Sequence, residues 1–302
     1  RKLLNNILMA TLRELKGRIG SVASSEKITG AMKMISSAKM HKAEGVLRRL
    51  LPFRQCVQTI LASLLSSEAP VSSPLTEKHA SVTRVAIAVL GSDDGLCGAY
   101  NVNIFKGVLE ELAKLRSTYG SDIQIDIIPV GKKMAKAFAR IGEDPAITLL
   151  HDSEVNSKSD GDTVKAFAQN LQEEYIAGKY DLVRLVYMHY HSAGRQRLTI
   201  DNYLPVSTDT LGAGEAQGRP CLFEPDAASI FAVAVPMYLL SRMQEAFADN
   251  RASEQAARVM AMQSANDNAQ KLLEQLQLEY NKLRQAGITT ELLDIVGGQA
   301  RD

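Results

Sequence analysis

Leu12, Leu15, Ile19 and Val22 recur at spacings of three and four residues, the period of a helix with one buried stripe. After Ser24, Ser25 and Glu26 the stripe resumes in a shifted phase at Ile28, Met32 and Ile35. The spacing predicts one long helix over residues 1–66, with Pro52 expected to kink it and the turn-forming run SSEAPVSSP (66–74) expected to end it. From residue 80 the period changes. VTRVAIAVL (82–90), IQIDIIPV (123–130), AITLL (146–150), DLVRLVYMHY (181–190) and RLTIDNYLPV (197–206) read as strands. Helical stretches fall between them at 103–118, 131–142 and 161–178. This alternation predicts an α/β domain over 80–212 with a largely parallel sheet. TDTLGAGEAQGRP (208–220) reads as a loop, and a second long helix is expected over 226–302. Its stripe continues through Ala265, Ala269, Leu272, Leu276, Tyr280 and Leu283, with Pro236 early and Gly287 late.

The expected fold class is therefore an α/β (Rossmann-like) domain inserted between two long helices that form an antiparallel coiled coil. That architecture suits a rod, lever or shaft better than a pocket enzyme. Within the second helix, SEQAARVMAMQSANDNA (253–269) has five alanines and two methionines but no Leu, Ile or aromatic residue. Alanine keeps a helix slim, and methionine adapts to differently shaped neighbours. Met32 and Met34 sit in a similar setting of Ala, Ser and Lys.

Composition removes several function classes. A formal net charge of +1 argues against a chain that binds nucleic acid as a whole. Cys56, Cys97 and Cys221 form no CxxC pair and read as reduced thiols of a cytosol-like compartment. The apolar run ASIFAVAVPMYLL is shorter than the ~20 residues that span a bilayer and contains Pro236, so no membrane span is expected. Position 1 is Arg and Met9 is a candidate initiator; the basic start RKLLNNILMA lacks a convincing signal cleavage site.

Candidate chemistry is thin. GSDDGLCGAYN (91–101) follows the first strand and precedes a helix, where a glycine turn can cradle phosphate, but it is not GxGxxG and no GxxxxGK[ST] occurs. A tight strand-to-helix connection is the expected role. Cys97, beside Asp93 and Asp94, lacks an evident basic partner that would make it a nucleophile. His189 and His191 face one side of a strand without a third metal ligand nearby. GKKMAKAFAR (131–140) lacks interleaved aromatics and reads as a solvated helix face. No catalytic residue, metal or cofactor is expected.

ITGAMKMISSAK, DDGLCGAYN, SEQAARVMAMQSANDNA and the terminal ITTELLDIVGGQA occur in the order and relative positions that resemble the gamma subunits of F-type ATP synthases. The resemblance covers residues 28–300. It implies a non-catalytic rotor whose paired helices stand inside a ring of three alpha and three beta subunits. Its α/β domain would sit beside the epsilon subunit and the membrane rotor ring, with no nucleic-acid partner. Proton (or sodium) flow would turn it, on the cytoplasmic face of a bacterial inner membrane.

Carried over by position, the resemblance assigns shaft contacts with beta subunits to Met32, Lys33, Met34, Arg251, Glu254, Gln255 and Arg258. Ile288, Leu292 and Ile295 belong to the tip in the upper sleeve. Phe223, Glu224 and Asp226, with Lys39 and Lys42, belong to the foot at the ring and epsilon. The plant-type redox insertion, with its close cysteine pair, is absent. A coiled-coil scaffold or adaptor with an α/β recognition domain is the alternative, and a small-ligand enzyme using the glycine turn and Cys97 is a third reading.

Overall fold

The computed structural model of the chain describes residues 2–67, 69–139, 144–150, 154–212 and 222–299, with side chains described throughout except at 2–9, 291 and 294–299. The elements are α1 (Lys2–Leu65), β1 (Arg84–Leu90), α2 (Tyr100–Tyr119), β2 (Gln124–Val130), α3 (Lys132–Phe138), β3 (Ile147–Leu149), α4 (Gly161–Ile176), β4 (Leu182–Ser192), β5 (Arg195–Leu204), α5 (Thr208–Gly212) and α6 (Ala227–Gln299). Each run with strand character became a strand. The helical assignment of α1 continues through Pro52, and α6 continues through Pro236.

The chain divides into two compact units, one formed by Ser36–Arg258 and the other by residues 1–35 with Val259–Asp302. In the larger unit the sheet order is β3-β2-β1-β4-β5. The first four strands are parallel neighbours, while β5 returns antiparallel to β4. The short link between β4 and β5 explains that reversal, since a parallel return needs a crossover of a dozen or more residues.

Alternate residues of β1 serve two cores. Val85, Ile87 and Val89 pack with α2 and α3 through Ile104, Val108, Met134 and Phe138. Ala86, Ala88 and Leu90 face the other side, against Leu61 and Leu64 of α1, Phe167 and Leu171 of α4, and Phe231, Val235 and Tyr238 of α6. Burial on both faces is why the strand reads as an unbroken apolar run. The same packing accounts for the apolar start of α6. That helix holds a stretch long and apolar enough to cross a bilayer, yet Phe231, Val235, Tyr238 and Leu239 are spent on the protein's own core.

One tight turn constrains the carboxyl end of β2. Gly131, between β2 and α3, has φ +104°, and a Cβ there would lie 2.8 Å from the Ser92 carbonyl oxygen. That oxygen also accepts from Lys133 N at 3.0 Å, so it cannot move away freely. Gly131→Ala is expected to cost about 1–3 kcal/mol of unfolding free energy, measured by urea denaturation. A loss below a few tenths of a kcal/mol would show that the turn can relax.

In the smaller unit, Leu15 is buried and Leu12, Ile19 and Val22 are partly buried, as their spacing predicts. Of the shifted set only Met32 is half-buried: Ile28 and Ile35 are more than half exposed, and Glu26 and Thr29 keep the original stripe. On α6 the stripe runs through Ala269, Leu273, Leu276, Tyr280 and Leu283; Leu272 is exposed. Small polar groups replace bulky ones where the helices meet. Thr29 Oγ1 donates to Asn266 Oδ1 at 3.3 Å, and Asn266 stands 3.4 Å from where a Cβ on Gly30 would lie. Gln270 Nε2 donates to Glu26 Oε1 at 3.4 Å, so partner numbers fall along α6 as they rise along α1.

Candidate functional site

An open α/β sheet takes its ligand in the crevice beyond the carboxyl ends of its strands, where the strand order reverses. Here the chain runs outward from β1 to β2 and β3, then returns to place β4 on the other side of β1. The crevice therefore lies at the ends of β1 and β4, and α6 fills it. Asn250 Nδ2 donates to the Gly91 carbonyl at 3.0 Å, and its Oδ1 accepts from Tyr100 Oη at 2.6 Å and from Met188 N at 3.4 Å. Ser253 Oγ donates to the Met188 carbonyl at 2.8 Å. Asp249 accepts from Tyr190 N at 2.7 Å and pairs with His189 at 2.5 Å. Burial raises the Asp249 carboxyl, against these bonds.

The glycine turn after β1 is used in the same way. Ser92 N donates to Asn101 Oδ1 at 3.2 Å and Asp93 N to Ser157 Oγ at 3.3 Å. Asp93 in turn accepts from Lys132 N at 3.0 Å and Ser157 N at 3.1 Å. These amides are turned to protein acceptors beside two carboxylates, the opposite of a phosphate cradle. Leu96 and Gly98 adopt φ of 63° and 61°, which fits the tight connection expected there. Burial raises the Cys97 thiol despite its contact with Ser92, which disfavours the thiolate. A cation does lie nearby: Arg258 contributes a lowering influence that the linear sequence does not reveal.

The next turn of α6 carries the residues assigned to the shaft contacts. Glu254 is 2% exposed and Arg258 5%, and they pair with each other at 2.7 Å. Arg258 also donates to the Gly95 carbonyl at 3.1 Å and the Asp94 carbonyl at 3.3 Å. Arg251 Nε donates to the Ser157 carbonyl at 2.7 Å and its Nη2 to the Ser159 carbonyl. Burial lowers the Arg251 guanidinium and raises the Glu254 carboxyl. Glu254 and Arg258 thus face the chain's own loops rather than outward, because backbone carbonyls and a buried ion partner satisfy them there. Gln255 is half-buried beside them.

The assigned foot also separates. Lys39 and Lys42 line a cavity with Arg251, Glu254 and Gln255. Pro225, between Glu224 and Asp226, lines a different one with Val57 and Ile60. At ~1.5 Å per residue along a helix, Lys42 and Val57 are roughly 22 Å apart. Phe223 is half-buried, Glu224 and Asp226 are exposed, and Asp226 caps the start of α6 through Ser229 N at 2.8 Å. In the smaller unit Met32 and Lys33 are half-buried, Met34 is 73% exposed, and Ile288 and Leu292 are exposed. Ile295 lies outside the described side chains.

The polar row Asp249, Asn250 and Ser253 was not singled out by the sequence. Its signal is a run of hydrogen-bonding residues on an alanine-rich helix, legible only once the sheet ends lie opposite. A helix bonded at its flank to two strand ends cannot turn about its axis without breaking those bonds. The arrangement holds a helix angle instead of a substrate.

Residues 11–300 match the family model described as ATP synthase. The ATP synthase gamma chain of Bacteroides thetaiotaomicron is 41% identical, covering 96% of this chain and 99% of the relative. That of Chromobacterium violaceum is 35% identical over 97% and 99%. Among solved structures, a chain of the Euglena gracilis mitochondrial ATP synthase rotor shares the fold at a TM-score of 0.60 and 21% identity, over 92% of this chain and 99% of that one. A chain of the Tetrahymena thermophila central stalk and c-ring assembly does so at 0.54 and 23%, over 79% and 99%. With both the family model and close relatives spanning nearly its whole length, the chain belongs to the ATP synthase gamma chain family.

Proposed function

We propose that this chain is the central shaft of an F-type ATP synthase and carries no catalytic site of its own. The observation that carries the reading is the filled crevice: α6 takes the place of a ligand at the sheet and continues as one helix to Gln299. In the proposed assembly α1 and α6 pair as an antiparallel coiled coil inside three alpha and three beta subunits. The larger unit stands beside the epsilon subunit and the membrane ring, on the cytoplasmic face of the membrane. Ion flow turns the ring, and the Asn250, Ser253 and Arg258 contacts prevent α6 from slipping against the domain the ring drives.

A rotor shifts a beta subunit only by interacting unequally with its open and closed states. Exposed Met34, half-buried Met32 and Lys33, and the tip at Ile288 and Leu292 are the groups available for that contact. Arg251, Glu254 and Arg258 support the helix from within, and Gln255 borders them. Methionine suits a surface that meets several neighbours in turn, because its thioether is flexible and polarizable.

Reconstitution with alpha and beta subunits tests the reading. The expected product has three alpha, three beta and one copy of this chain, with ATP hydrolysis only in the complex. Turnover by the purified chain that depended on its own residues, or failure to assemble, would overturn it. Within the assembled enzyme, Met32→Lys should leave assembly intact and loosen the coupling of hydrolysis to ion pumping, because a cation on one face of the shaft that met an acidic beta-subunit loop would favour one angle. Unchanged pumping per ATP would remove Met32 from the sensitive contact.

A further inference from the structure

Two cavities of the larger unit share Ala43, Val46 and Arg251, so they adjoin as the two ends of a groove along α1, the start of α4 and α6. Their volumes are about 210 and about 240 Å³, which together reach the lower part of the range of small-molecule pockets, roughly 300–1,000 Å³. The two ends differ in chemistry. One is walled by Leu50, Val164 and Phe247. The other is lined by Lys39, Lys42, Lys158 and Arg251.

The charges at the second end do not cancel. Lys158 pairs with Asp94 at 2.8 Å, and Glu254 pairs with Arg258 at 2.7 Å. Lys39, Lys42 and Arg251 form no ion pair among the described residues, and Arg251 spends its bonds on two neutral carbonyls. The Gln255 side-chain oxygen at this end is buried without a hydrogen-bond partner. A turn of that amide would offer its NH2 to an arriving anionic oxygen. The apolar end carries the opposite bias, since the Asp160 carboxylate sits there as the N-cap of α4. An anion is therefore favoured at the lysine end only, with its apolar body directed toward Phe247.

We propose that this groove binds a small anionic amphiphile, a carboxylate or phosphate head joined to an apolar body of several carbons. The head lies among Lys39, Lys42 and Arg251, and the body lies against Leu50, Val164 and Phe247. The site is built wholly within the larger unit, so its test on the chain alone does not depend on the rotor reading.

Calorimetric titration of the full chain with octanoate, butyrate, inorganic phosphate and 1-octanol tests it. Octanoate is expected to bind saturably at one site, at least tenfold more tightly than the other three probes. The doubly substituted Lys39→Glu, Lys42→Glu chain changes only exposed side chains and should keep the circular dichroism of the parent. It is expected to lose the octanoate site. No saturable octanoate binding, equal binding of 1-octanol or phosphate, or full binding by the folded double variant would each overturn the proposal.

Discussion

Replacing Asn250 with leucine will lower the unfolding free energy by about 3 kcal/mol, because it strands two backbone groups in the sheet crevice. The side chain is 3% exposed, and leucine shares its branched shape, but methyl groups cannot approach oxygens as closely as the amide does at 2.6–3.0 Å, so crowding adds to the polar loss. The Gly91 carbonyl loses its donor at 3.0 Å, and Met188 N loses its acceptor at 3.4 Å. Each stranded group costs about 1–3 kcal/mol. Tyr100 is spared, since its hydroxyl also donates to the Asn250 backbone carbonyl at 3.0 Å. Urea denaturation followed by circular dichroism measures the change. A deficit under about 1 kcal/mol, less than one stranded group costs, would show that Asn250 does not fasten α6 to the sheet. If the fastening transmits torque, the variant reconstituted with its partner subunits should also hydrolyse ATP with weaker coupling.

The strands were legible because the parallel ones are buried on both faces and so read as apolar runs. Val85 through Leu90 shows this: odd positions serve one core and even positions the other. The glycine turn after β1 was legible as a connection because Gly98 takes a positive φ, as Gly131 does in the next strand-to-helix turn. What stayed hidden depended on neighbours distant in sequence. Ile28 and Ile35 look like seam residues, but the helices meet through Thr29, Gly30 and Asn266, where only small groups fit. Glu254 and Arg258 look like surface charges on a helix. Their burial follows from carbonyls of the turn at 94–95, more than 150 positions away, which no local periodicity reports.

That same ion pair yields the second large effect. Arg258→Met will destabilise the chain by about 3–5 kcal/mol at neutral pH, since removing one partner leaves a buried charge uncompensated. Burial already raises the Glu254 carboxyl above its ordinary range even with Arg258 present, and Asp93 and Asp94 add to the same direction. Without Arg258 the carboxyl will hold its proton to still higher pH. A carboxyl whose folded pKa exceeds its unfolded value binds more protons in the folded state, so stability falls as pH rises between the two values. The deficit of Arg258→Met should therefore be small near about pH 5, close to the unfolded range of a glutamate, and grow toward pH 8. Glu254→Gln removes the charge that causes it, so the double variant should be more stable at pH 8 than the sum of the single losses implies. Urea melts of the four proteins at both pH values decide the matter. A deficit that does not change with pH, or strictly additive losses, would show that Arg258 acts through its bonds to the Asp94 and Gly95 carbonyls and not by neutralising Glu254.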